Sequence, residues 1–160
     1  MLPKHFRQWA WLRESDHLIV LNENQGVCRA GIRRDDLALA DPPVYVTYDD
    51  GPWTLCAPSV SDYLAGALAY EAVLVAPFAP EHFYWLTEEE LDWLAQRLSQ
   101  CPFQLVNWLQ EGMRLSFYRN APDNLAFVMD NGDLQLYYGA ASQSVYDQLA
   151  AVLGAVGEPV

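Results

Sequence analysis

Short β-prone runs alternate with tight-turn signals along most of this chain, which restricts it to short strands paired largely antiparallel. The runs cover residues 18–21, 27–32, 44–48 and 53–56, and Asn24-Gln25-Gly26, Asp41-Pro42-Pro43 and Asp49-Asp50-Gly51-Pro52 separate them. Gly, Asn and Asp tolerate positive φ, Pro presets φ near −65°, and β-branched or aromatic residues fill the runs between, so the segment reads as an antiparallel meander. Three further strands are predicted over 113–118, 125–129 and 134–138. Asn131-Gly132 between the last two is the strongest short-range signal for a two-residue hairpin.

Helical periodicity interrupts these strands. Pro3, with Phe6, Trp9 and Leu12 spaced three apart up to Arg13, predicts a short opening helix. After Pro58 the period changes again. Ser59 or Ser61 offers an N-cap, and Leu64, Ala67, Leu68, Ala72 and Val75 make an apolar stripe on a helix over 61–75. That stripe predicts packing on the sheet through Leu64, Leu68 and Val75. Glu71 lies close to the same face, so its carboxylate is expected to be partly buried and bonded to a donor that ties the helix to a neighbouring loop.

Thr87 and Glu90 have capping-box spacing, with Leu86 and Leu91 as a hydrophobic staple, predicting a helix over 88–98. Ser142 is placed to cap a closing helix with Val145, Leu149, Val152 and Leu153 inward and Gly154 at its end. No internal repeat or long linker divides the chain. The reading is an α+β fold in one domain, 1–160, with a mainly antiparallel mixed sheet and helices packed on it.

A chain of 160 residues with 52% hydrophobic residues can build a full core without staples, since folding at this length buries roughly 70% of the unfolded surface. Cys28, Cys56 and Cys101 are odd in number and widely spaced, which favours reduced thiols packed as small hydrophobes. The charged N-terminal region does not read as a secretory signal, and Pro77 and Pro80 interrupt the longest apolar run, residues 63–80. A cytoplasmic protein with no membrane span is expected.

The search for chemistry is mostly negative. Neither G-x-S-x-G, nor a phosphate-cradling glycine loop, nor a class-specific cysteine signature occurs, and His5, His17 and His82 stand far apart without metal-site spacing. Asp130-Asn131-Gly132-Asp133 lacks the ligand series of a calcium loop and is explained as a hairpin turn. Glu88-Glu89-Glu90 is the expected composition of a first helical turn. These readings point away from an enzyme and require no cofactor and no metal.

Charge is the feature left over. Residues 1–34 hold six Lys or Arg against three acids, whereas residues 35–96 hold twelve Asp or Glu and no Lys or Arg, within a chain of net charge −12. Such a field repels phosphate backbones and anionic membranes and speeds encounter with a basic protein. The expected partner is therefore a protein and not a nucleic acid. Asp35, Asp36, Asp49 and Asp50 are the candidate partner-binding residues.

Glu23-Asn24-Gln25-Gly26-Val27, then Gly31-Ile32, Asp36-Leu37 and Asp41-Pro42-Pro43-Val44-Tyr45, resembles the strand-turn-strand signature of the SUKH superfamily, named with the fungal cell-wall synthesis regulators. Trp53, the helix around Leu64 to Leu68 and the triplet Tyr70-Glu71-Ala72 look like a bacterial branch of that group. The pattern departs where Arg29-Ala30 precede Gly31-Ile32, since members commonly carry an aromatic there. The resemblance implies a SUKH-like fold and an immunity protein that binds and neutralises a polymorphic toxin, many such toxins being nucleases with basic surfaces. The alternative it implies is a cytoplasmic regulatory or scaffold module like the fungal members.

Overall fold

In the computed structural model, which describes residues 16–22, 28–154 and 156–159, all the strand pairs are antiparallel. β1 (His17–Asn22), β2 (Cys28–Arg33), β3 (Val44–Tyr48) and β4 (Thr54–Ala57) form a four-stranded meander in chain order, with a 3-10 turn over Arg34–Ala38 after β2. β5 (Tyr84–Leu86), β6 (Ser99–Val106), β7 (Arg114–Arg119), β8 (Asn124–Asp130), β9 (Leu134–Ala140) and β10 (Glu158–Pro159) form a second sheet in the order β10-β5-β9-β8-β7-β6. The antiparallel α+β reading holds, with the strands divided between two sheets. The predicted opening helix and the Asn24-Gln25-Gly26 turn lie outside the described residues.

Two turns show how local sequence sets the register. Asp49 and Asp50 both adopt positive φ, 46° and 58°, and Gly51 N donates to Tyr48 O at 2.7 Å, so a tight turn of the mirror-image type opens the connection over residues 49–53 from β3 to β4. At the Asn131-Gly132 signal, Asp130 pairs with Leu134, which leaves a loop of Asn131, Gly132 and Asp133. Gly132 supplies the positive φ of 106° there, so the hairpin is present with one residue more than its shortest form.

β6 has no clean strand signal, because Pro102 removes a ladder donor in the middle of it. The structure accommodates this in two ways. β6 is the edge of its sheet, and its pairing with β7 shifts register between Gln100 and Gln104, around the proline.

Three helices pack against these sheets: α1 (Val60–Leu74), α2 (Glu88–Ala95) and α3 (Gln143–Leu153). Ser59 caps α1 by accepting from Asp62 N, and Asp41 Oδ1 accepts from Ser61 N at 3.0 Å. The α2 capping box forms as predicted: Thr87 Oγ1 accepts from Glu90 N at 3.2 Å while Glu90 Oε2 accepts from Thr87 N at 2.8 Å. Glu90 Oε1 also accepts from Gly157 N, which fastens the approach to β10 onto the start of α2. Ser142 stands at the N-cap of α3 without a side-chain capping bond.

α1 packs on one face of the six-stranded sheet, and β4 lies beside the edge strand β6, so the two sheets share one core with the helix. Val44, Val46 and Cys56 meet Tyr63 and Val73 over Leu105, Leu115, Phe117 and Phe127. On the other face Leu94 of α2 and Leu149 and Leu153 of α3 cover Tyr118, Val128, Leu136 and Tyr138. Cys28, Cys56 and Cys101 are buried and unbridged, and burial pushes the Cys56 thiol up to about 12.

The predicted inward stripe of α1 is corrected by this packing. Leu64, Leu68 and Val75 are 51%, 69% and 74% exposed, and the buried positions are Tyr63, Gly66, Ala69 and Val73. The helix is apolar nearly all round, so periodicity alone does not choose a face, and close approach does. A Cβ at Gly66 would stand 2.7 Å from the Leu105 side chain, so Gly66 and Ala69 take the closest approach to the sheet, flanked by buried Tyr63 and Val73, and the leucines turn away. Glu71 turns outward with them. Its carboxylate is exposed and receives no hydrogen bond among the described residues, which overturns the expected tie to a loop.

Candidate functional site

The outward face of α1 does not stand alone. Leu64, Leu68 and Glu71 border a groove of about 420 Å³, whose opposite wall is Val20 and Leu21 of β1 and whose end is closed by Leu109. Its floor is aromatic: Tyr63, Tyr70 and Trp108 meet edge to face, with Trp108 5.9 Å from each of the other two rings.

Leu109 is held here against its own preference. It is 39% exposed and adopts φ 58°, a conformation that costs a residue with a branched side chain roughly 1 to 2 kcal/mol. Asn107 fixes the loop that carries it. Asn107 Nδ2 donates to Leu55 O at 2.9 Å, its Oδ1 accepts from Gly112 N at 2.9 Å, and its own carbonyl accepts from the Tyr48 hydroxyl. A rigid loop thus presents a leucine to solvent beside Leu64 and Leu68. Sequence reasoning passed over this loop because no periodic pattern covers it; the adjacent Asn107 and Gly112, both turn formers, are the signal present.

The structure separates the four candidate acids into two pairs. Register puts Tyr48 opposite Cys28, so Asp49 and Asp50 lie at the end of the four-stranded sheet that also carries Asn22 and the groove. Asp35 and Asp36 follow β2 at its other end, about 17 Å away along a six-residue strand. Asp35, Asp49 and Asp50 are exposed and Asp36 is half-buried, with its Oδ2 buried and unbonded. Asp50 forms an ion pair with Arg29, and Asp16 with Arg34; among the described residues no other ion pair is present, so the remaining carboxylates of 35–96 keep their charge unpaired.

A second aromatic cluster closes β1 at the far end. The His17 ring stacks on Trp53 at 3.9 Å and meets Tyr45 edge-on, while the Arg33 guanidinium lies 4.5 Å over Tyr45. Burial, with Arg33 nearby, holds His17 below the ordinary histidine pKa, against opposing pulls from Asp16 and Asp36.

Among the described residues no group of three or more His, Cys, Asp or Glu is arranged to hold a metal ion, and no helix is long and apolar enough to cross a membrane. Comparison with protein-family models, with curated proteins and with solved structures found no match to this chain.

Proposed function

We propose that this domain is a cytoplasmic, non-enzymatic protein-binding module that neutralises a basic toxin domain, as the resemblance to bacterial SUKH immunity proteins implies. The observation that carries the reading is the outward face of α1. A 15-residue helix that is apolar nearly all round leaves Leu64 and Leu68 in solvent beside the fixed Leu109, and contiguous apolar surface of this kind marks a partner site. The carboxylates around it supply the sign of the partner. Glu71 stands within the groove and Asp49 and Asp50 at the same end of the sheet, in a segment of twelve acids and no Lys or Arg. Apolar contact supplies the affinity and the acids steer the approach.

The test screens candidate toxin domains, including any encoded beside this chain's gene, for one that this chain binds. Binding should weaken by at least 100-fold in a Leu64→Asp, Leu68→Asp double variant that remains folded. Reversing Asp35, Asp36, Asp49 and Asp50 to Lys should slow association on the order of tenfold, and the wild-type on-rate should fall steeply with added salt. Binding indifferent to salt and to both sets of substitutions would refute the proposal.

A further inference from the structure

On the other side of α1, at its C-terminal end, lies a larger cavity of about 610 Å³, within the range of small-molecule pockets. Its walls are mostly apolar, with Ala72, Val73 and Ala76 of the helix facing Phe103 of β6 and Leu125 of β8. Two charged side chains of opposite sign line it, Arg119 at the end of β7 and Asp123 in the turn to β8.

The turn that carries both is fixed. Asn124 is buried and bonded on both sides of its amide: its Oδ1 accepts from Asn120 N at 3.2 Å and Ala121 N at 3.3 Å, and its Nδ2 donates to Asn120 Oδ1 at 2.6 Å. Ala141 N donates to Asp123 O at 3.0 Å and Ala140 N to Phe78 O at 2.9 Å, which hold the remaining wall. The cavity is therefore preformed. Arg119 makes no ion pair among the described residues, Asp123 included, in a protein where acids outnumber Lys and Arg by 21 to nine. Arg119 is exposed at the rim of this apolar cavity, where its guanidinium is free to pair with a carboxylate, and the nearby Asp123 charge disfavours a second negative group.

We propose that this cavity binds a small molecule consisting of an apolar body and a single carboxylate, with Arg119 gripping the carboxylate and the body seated between α1 and the β6–β8 wall. The site is separate from the outward groove of α1, so it stands or falls independently of toxin binding.

Octanoate, octanol and octylammonium are the probes, titrated into the full chain and followed by amide chemical-shift mapping. Octanoate should shift Ala72, Ala76, Phe103, Leu125 and Ala141 and bind with a dissociation constant on the order of a millimolar, and octanol and octylammonium should bind at least fivefold more weakly. Arg119→Gln should weaken octanoate about tenfold and leave octanol unchanged, Asp123→Asn should tighten octanoate severalfold, and Ala72→Trp should block all three. Equal binding of octanoate and octanol, octanoate binding unchanged by Arg119→Gln, shifts centred on Leu64 and Leu68 instead, or no binding at all would overturn the assignment.

Discussion

α1 and α3 both pack on the six-stranded sheet, on opposite faces, and they differ in how plainly their sequences declare the packed side. In α3 the predicted inward residues Leu149 and Leu153 are buried and Val145 and Val152 half-buried, because polar Gln143, Asp147 and Gln148 mark the opposite face. In α1 nearly every position is apolar, and the face turned inward is the one whose small residues allow close approach. Amphipathic contrast identifies a buried face only when there is a polar side to oppose it. Where contrast is missing, residue size decides, and the excess apolar side becomes surface that a partner can use.

The packing of α1 is most vulnerable at Gly66. Gly66→Leu should drive a branched side chain into Leu105 and destabilise the domain by more than about 3 kcal/mol, read by chemical denaturation. A stable Gly66→Leu variant would mean α1 stands farther from β6 than the structure places it. Leu149→Ala probes the other side: a fully buried leucine truncated to Ala should cost about 2 to 4 kcal/mol, checked by the shift in urea midpoint.

Smaller effects sharpen the picture of the helix ends and of β1. Glu90→Gln weakens both the capping box and the bond to Gly157, and should lower the melting temperature by a few degrees, equivalent to about 1 kcal/mol. Those two bonds hold the Glu90 carboxyl below its ordinary value, the Thr87 amide first and Gly157 second. Its contribution is therefore present above the ordinary carboxylate range and lost as pH falls through it, and Glu90→Gln should flatten that part of the stability profile. His17 acts in the same direction at higher pH. Because folding lowers its pKa, the unfolded chain takes a proton that the folded ring resists, so stability should decline as pH falls from 7 through the ordinary histidine value near 6.5. His17→Phe should remove that slope in thermal melts.

Much of the fold was legible because local chemistry and tertiary packing agree. The turns at Asp49-Asp50-Gly51 and Asn131-Gly132, the Thr87–Glu90 box and the strand 44–48 are all found where the residues predict them. β6 was hidden by Pro102, whose cost disappears only at a sheet edge, and edge position is not written in one segment. The candidate site was half legible. The acidity is plain in the residue order, but the separation of Asp35 and Asp36 from Asp49 and Asp50 follows from β2–β3 pairing, and Leu109 joins Leu64 only through the long-range bonds of Asn107. Glu71 was misplaced with its helix face and moved outward when that face did.

Two adjacent residues test directly which side of α1 is buried. Equilibrium urea denaturation of Leu68→Asp and Ala69→Asp should separate them sharply: Leu68→Asp should stay within about 0.5 kcal/mol of wild type because its charge remains in solvent, while Ala69→Asp should fail to fold or lose more than about 3 kcal/mol by burying an unpaired charge. The reverse order, with Leu68→Asp unfolding the domain and Ala69→Asp tolerated, would contradict the structure and return the leucines to the core.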